Sequence, residues 1–365
     1  MAIASPSGKP AAARHSLDLS ATELLAWRRS MLALAGGGAD AASRLDWLLD
    51  LTGGLSWPAL QALWLHPQRR IQLRCSLQEL EDLWQRHHRN AEPLQYLVGR
   101  CPWRDLELSV APGVLIPRQE TELLLELALA EAAAQPSGSP LCWADLGTGS
   151  GCLAVALARA LPHGCGLAVD ASQEALRQAA SNLRALLPPR TRIAGPYATE
   201  PEATVGAEPQ TAVDGKPEPG AEPSSRMLPG VQLLQGSWWQ AIEPWWGRLQ
   251  LVVSNPPYIP SAVLAALEPV VRDHEPALAL DGGADGLAAI RRIAAGAAVA
   301  LAPGGVLLLE HHHDQSEAVL ALLAEAGLEE CHAHRDLEGV LRFASARRPA
   351  EPDGPMALSP AGIHS

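Results

Sequence analysis

The sequence predicts an α/β protein: a small helical domain, then a Rossmann-like, mostly parallel sheet with helices on both faces. Three observations predict it. From residue 140 onward, short apolar runs alternate with helical patterns, and the last two runs lie close together, as an antiparallel pair at a sheet edge would. The apolar run Leu141–Leu146 passes through a glycine-rich turn into a helical stretch. Residues 18–90 carry helical spacing with two helix-start signatures.

A chain of 365 residues, 47% of them hydrophobic, suffices for one sizeable domain and a smaller one. A formal charge of −12 argues against a general nucleic-acid binder, which would show a basic face, and fits a protein partner. Cys75, Cys101, Cys142, Cys152, Cys165 and Cys331 form no C-x-x-C pair and read as reduced, mostly buried thiols. The N-terminus lacks the apolar core of a signal peptide, and no stretch has the length of a membrane span. A cytoplasmic monomer with no membrane partner is expected.

Residues 1–15 are small and polar and are expected to be a disordered tail. The helical domain is placed at 16–98. Ser20 with Glu23, and Ser76 with Glu79, are capping-box pairs ahead of apolar runs. Arg86, His87 and His88 are read as a solvated face. Residues 99–117 are read as a β-hairpin linker, with strands Trp103–Val110 and Val114–Ile116 turning at Pro112-Gly113. The sheet domain is placed at 118–346. Pro117 to Glu122 opens its first helix; Arg118 and Glu120 are either a surface pair or part of a site's mouth.

After strand Leu141–Leu146 come Gly147, Thr148, Gly149, Ser150 and Gly151. Glycines let backbone N–H groups approach a ligand, and the helix start favours negative charge. Asp145, just before the turn, suits a cationic ligand end such as an amino group beside a sulfonium. Strand Gly166–Val169 ends in Asp170, placed to take both hydroxyls of a ribose. Residues 196–229 are rich in Pro, Glu, Ala and Gly and read as a disordered insertion. Strand Val231–Gln235 leads to Trp238, which either flanks an adenine or is core.

The most informative stretch follows strand Leu249–Val253: Ser254-Asn255-Pro256-Pro257-Tyr258. Two prolines make a stiff, extended exit from the strand. The Asn255 carboxamide oxygen and the Pro256 carbonyl are acceptors, and Tyr258 offers a flat face. Together they suit a planar group bearing an –NH₂. Glu275, within Arg272–Pro276, either lies near the substrate or only caps. His311-His312-His313-Asp314 is not expected to bind metal, because neighbours on an extended chain point apart. Residues 347–365 are expected to be a disordered tail.

These residues resemble a known family. Asp145–Gly151, Asp170 and Asn255–Tyr258 are similar to the class I S-adenosylmethionine-dependent methyltransferases that modify amino nitrogens. With Leu115–Arg118, Glu120–Glu122, Arg272–Pro276 and Leu307–His311, the chain more narrowly resembles the release factor glutamine methyltransferases, the PrmC/HemK family. The resemblance implies a class I methyltransferase sheet and S-adenosylmethionine held by Asp145, Gly147–Gly151, Asp170, Trp238 and Asn255. It implies methylation of the glutamine in the Gly-Gly-Gln loop of peptide chain release factors, with the helical domain helping to hold that protein. Asn255, Pro256 and Tyr258 would act on the amide. Pro257, Arg118 and Glu275 would join them in binding substrate. Ser237 stands where many members carry an acid before the strand-end Trp, and the 196–229 insertion is atypical. Alternatives are a ribosomal-protein glutamine methyltransferase, a DNA adenine N6-methyltransferase, or a cofactor-sensing adaptor without turnover.

Overall fold

The computed structural model describes residues 17–135, 140–197 and 228–350. The chain divides into two compact units: residues up to Arg100 with Glu268–His274, and Cys101–Leu267 with the residues from Glu275 onward. The expected tail 1–15 lies outside the described residues, as do most of the 196–229 insertion and the 347–365 tail.

In the first unit both capping boxes form. Ser20 caps helix Ala21–Leu34 and Ser76 caps helix Leu77–Asn90, each exchanging bonds with the Glu three residues on. Helices Ala39–Leu51, Trp57–Leu63 and Leu94–Val98, and the short helix Pro269–Arg272, complete the helical set among the described residues. Helical periodicity hid a two-stranded antiparallel ribbon, β1 (Leu17–Ser20) with β2 (Arg70–Leu73). Each strand has only four residues, too short for alternation to declare itself. Trp84 is buried and donates to the Met31 carbonyl at 3.0 Å. Arg28 holds the buried Asp46 through two bonds, 2.6 and 2.9 Å. His87 is buried rather than solvated, its Nδ1 lying 2.7 Å from the Glu92 carbonyl; only its neighbours Arg86 and His88 face water.

The linker hairpin lies earlier than expected. β3 (Arg100–Trp103) pairs with β4 (Leu106–Ser109) around Arg104-Asp105, where Arg104 adopts φ +54°. Val114–Ile116 is not a strand of any sheet among the described residues; Val114 and Ile116 are buried and Leu115 is half-buried. Burial rather than pairing accounts for that apolar run.

The second unit is built on an eight-stranded sheet. Its strands are β5 (Cys142–Leu146), β6 (Cys165–Asp170), β7 (Ile193–Ala194), β8 (Gly230–Gln235), β9 (Leu249–Ser254), β10 (Leu301–Glu310), β11 (Glu329–Arg335) and β12 (Leu341–Arg347). Their order is β11-β12-β10-β9-β5-β6-β8-β7, and only β12 runs antiparallel to its neighbours. The two-residue β7 was not read from the sequence. Arg347, expected in the tail, ends β12 and pairs with Glu131 and Glu330. Tyr197, expected in the insertion, packs on the core and donates to Gln235 Oε1 at 2.8 Å.

Alternate residues of each strand face opposite layers. Trp143, Ala168, Leu251 and Val253 pack under helices Thr121–Ala134, Cys152–Ala160 and Gln173–Leu186. Ala144, Leu167, Val169 and Val252 pack under helices Ala288–Ala300 and Ser316–Glu325. Gly166 is required by Trp143: a Cβ there would lie 2.1 Å from the indole. The chain moves outward from β5 through β6 to β8, then returns to β9 on the other side of β5. That reversal leaves a crevice at the carboxyl ends of β5 and β9, where sheets of this kind take ligands. No helix of the described residues is long and apolar enough to cross a membrane.

Candidate functional site

A cavity of about 550 Å³ opens in the second unit at that reversal. The size suits a nucleoside-sized ligand. Gly147, Gly149, Asp170, Ser237, Trp238, Asn255 and Pro257 line it, so the loops after β5, β6, β8 and β9 meet at one place.

The glycine turn is held from behind. Gly147 and Thr148 both donate their backbone N–H to the Val169 carbonyl at 2.9 Å. Gly151 has φ +82° and starts the helix, where a Cβ would sit 3.0 Å from Ala179. Thr148 and Ser150 are buried behind the turn and do not line the cavity. Asp170 Oδ2 accepts from Gly149 N at 2.9 Å and Oδ1 from Ser172 N at 2.8 Å. Each oxygen keeps a lone pair for a hydroxyl. Burial holds the Asp170 carboxyl above its ordinary range. Trp238 takes φ +51° and brings its ring near Gly147, so it is a wall of the cavity rather than core alone.

Asp145 is 1% exposed and lies behind the turn. Its Oδ2 accepts from Thr148 Oγ1 at 2.7 Å, while Oδ1 has no partner. Burial pushes the carboxyl up to about 7. An orphaned carboxylate oxygen beside a glycine cradle, with Asp170 across the turn, fits a ligand carrying cationic charge and a ribose. S-adenosylmethionine has both.

The Asn-Pro-Pro-Tyr corner leaves β9 as expected, but its members divide. Asn255 and Pro257 line the cavity, whereas Pro256 is buried and Tyr258 packs on the core beneath. Ser254 Oγ donates to the Leu146 carbonyl at 2.6 Å and ties the ends of β9 and β5 together. Asn255 Nδ2 donates to Thr121 Oγ1 at 3.0 Å. Tyr258 OH donates to Glu310 Oε1 at 3.1 Å, and its carbonyl accepts from Gln315 Nε2 at 3.0 Å. Thr121, Glu310 and Gln315 were not read as functional. An acid closing an apolar strand at Glu310 was the available signal.

Arg118 and Glu275 pair with each other at 2.6 Å, and Arg118 does not pair with Glu120. Glu275 Oε2 also accepts from Ile116 N at 3.2 Å. The buried Glu275 therefore pins Ile116–Arg118, and neither charged residue lines the cavity. The preceding residues Gly113, Val114 and Leu115 do line it, which the sequence did not disclose. His312, His313 and Asp314 lie in a turn with their ligand atoms within 4.8 Å of one another. The expectation that these neighbours diverge fails, because the chain turns there instead of staying extended. His312 Nδ1 is 2.6 Å from Asp314 Oδ1.

The chain is 46% identical over 332 residues to a release factor glutamine methyltransferase of Prochlorococcus marinus, covering 90% of this chain and 98% of that protein. It is 34% identical over 335 residues to one of Synechocystis sp., covering 90% and 97%. Among solved structures, a protein-(glutamine-N5) methyltransferase (release factor-specific) of Alicyclobacillus acidocaldarius is 25% identical. That match covers 66% of this chain and 99% of the other, with a TM-score of 0.32. No protein-family model matches. With a glycine cradle, a strand-end acid and an Asn-Pro-Pro-Tyr corner around one cavity, and relatives matched over nearly their whole length, the chain belongs to the release factor glutamine methyltransferase family, within the class I S-adenosylmethionine-dependent methyltransferases.

Proposed function

We propose that this chain transfers the methyl group of S-adenosylmethionine to the side-chain amide nitrogen of the glutamine in the Gly-Gly-Gln motif of peptide chain release factors. The observation that carries the reading is Asn255 at the cavity wall, its nitrogen engaged by Thr121 and its oxygen without a donor among the described residues.

When bound, S-adenosylmethionine supplies an electrophilic methyl on a sulfonium. Asp170 would take the ribose hydroxyls, Gly147 and Gly149 would flank the amino-acid end, and Asp145, buried behind the turn, would offset cationic charge from there. Trp238 and Pro257 supply apolar wall. An amide nitrogen is a poor nucleophile because its lone pair is delocalised. Asn255 Oδ1 accepts one of its two hydrogens and turns the lone pair toward the cavity, while Pro256, buried and off the cavity lining, stiffens the corner. Tyr258 buttresses the corner from beneath. The gain comes from positioning and from an acceptor facing the charge that develops on nitrogen.

The first unit leaves Trp57, Trp64 and Leu65 exposed near one short helix, an apolar surface suited to holding a protein substrate. Incubating release factors with the protein and S-adenosylmethionine, then digesting them for mass spectrometry, tests the assignment. One added methyl on the Gly-Gly-Gln glutamine is expected; unmodified factors under saturating cofactor would overturn it.

A further inference from the structure

Glu310 closes β10 and is 1% exposed. Both its oxygens are engaged: Oε2 by the Thr121 hydroxyl at 2.7 Å, Oε1 by the Tyr258 hydroxyl at 3.1 Å. Thr121, itself buried at the start of its helix, accepts in turn from Asn255 Nδ2. These three bonds form one directional chain. A hydroxyl has one proton, and Thr121 gives it to Glu310. Thr121 then has only lone pairs for Asn255, which must present its NH₂ side. An Asn amide is ordinarily ambiguous as to which end is oxygen, and here the chain of donors settles it.

We propose that Glu310 and Thr121 are positioning residues for methyl transfer: the ionised Glu310 carboxylate, acting through the Thr121 hydroxyl, fixes the Asn255 carboxamide with its oxygen toward the cavity, and the same carboxylate anchors Tyr258. The inference rests on the proposed function. Ionisation matters because a protonated Glu310 becomes a donor. It can give its proton to Thr121 Oγ1, which frees the Thr121 proton to point at Asn255. The carboxamide then turns over, offers NH₂ to the cavity and loses the acceptor that the substrate amide needs.

The surroundings place this change near neutrality. Burial raises the Glu310 carboxyl to about 7 against the two hydrogen bonds it accepts. Glu120, before Thr121 in the chain, adds to the rise, and Arg342 of β12 opposes it. Arg342 is itself engaged by Asp336 at 2.7 Å. His311 follows Glu310 in the chain and burial holds it toward its neutral form. The ring of His312 lies 6.3 Å from that of Tyr258.

The test is kcat against pH on a release factor at saturating S-adenosylmethionine, so that any effect on cofactor affinity is removed. Wild type is expected to show an acid limb near neutral pH. Glu310→Gln has one acceptor and one donor end, so it cannot accept from both hydroxyls. It should lose kcat at pH 8 by about tenfold or more, keep its cofactor Kd, and lose the acid limb. Thr121→Val should lose kcat similarly with little change in KM, and Thr121→Ser should restore it. An unchanged acid limb in Glu310→Gln, or wild-type kcat in Thr121→Val, would overturn the proposal. An infrared pH titration of the protein alone separates this outcome from failure of the functional reading. A carboxyl stretch that titrates near neutral and vanishes in Glu310→Gln supports the ionisation whether or not the substrate is right, and its absence overturns it. Lack of wild-type turnover on release factors overturns the functional reading instead.

Discussion

Ser254 Oγ reaches across the sheet to the Leu146 carbonyl at 2.6 Å, joining the two strand ends from which the glycine turn and the Asn-Pro-Pro-Tyr corner depart. Ser254 is fully buried, so Ser254→Ala leaves that carbonyl without this donor. The expected loss is about 1–3 kcal/mol of stability, read by urea unfolding. Turnover should fall with it, because the corner loses its tether to β5. Ser254→Thr, which keeps a hydroxyl, should recover part of the unfolding loss.

Asp145 is expected to make cofactor affinity depend on pH. Its carboxyl is pushed up to about 7 by burial, with one oxygen unpaired. A cationic ligand requires the ionised form. Below pH 7 the free protein holds a proton that binding must expel, so affinity should weaken by up to about tenfold per pH unit. Titration calorimetry in buffers of different ionisation enthalpy should find a proton released near pH 6, and none in Asp145→Asn. Affinity independent of pH between 5.5 and 8 would contradict this role.

The same burial sets a pH dependence of folding. Burial pushes the Asp145 and Glu310 carboxyls up to about 7 in the folded protein, above their ordinary values of 3.8 and 4.5. Between those limits the unfolded chain is ionised while the folded one is protonated. Their contribution to stability is therefore full below about pH 4 and is lost as pH rises toward 7, by up to about 1.4 kcal/mol per unit for each group. His87, His311 and His334 are shifted downward by burial and act in the opposite sense. The observable is thus the difference between proteins. From pH 5 to 7 the ligand-free wild type should lose stability relative to Asp145→Asn and to Glu310→Gln. Parallel pH profiles would refute the shifts.

Gly166 and Trp143 are coupled across β6 and β5. A Cβ at 166 would lie 2.1 Å from the indole Cζ2, and Trp143 is itself fully buried. Gly166→Ala should destabilise the second unit by more than about 1–3 kcal/mol, the usual range for overpacking. Trp143→Phe removes the atoms in conflict, so the double variant should be less damaged than the sum of the singles. Additive losses in chemical unfolding would show that the two sites are independent.

The strands of the sheet could be read from apolar runs because both faces are buried, and the glycine turn could be read because its φ values and close packing admit little else. Asp145, Asp170 and Asn255 stand out for a similar reason: each is a polar residue at, or one residue from, the carboxyl end of an apolar strand. Glu310 has the same signature and was passed over, because its partner Thr121 lies 189 residues away and no local pattern joins them. The β1–β2 ribbon and β7 escaped because two to four residues give too little alternation. Val114–Ile116 reads as a strand because it is apolar, but it is apolar because Val114 and Leu115 form a cavity wall and Val114 and Ile116 pack inward. The sequence leaves open whether Arg118 and Glu275 line a site; the pair they form with each other is set by tertiary structure across 157 residues, which no local pattern discloses.

Turnover by Asn255→Ala tests the central claim most directly. With labelled S-adenosylmethionine and a purified release factor, the variant should lose methyl transfer by about a thousandfold or more while its cofactor Kd stays within about threefold of wild type, since the glycine turn, Asp145 and Asp170 are untouched. Methyl transfer at the wild-type rate by Asn255→Ala, with the glutamine as the modified residue, would contradict the account.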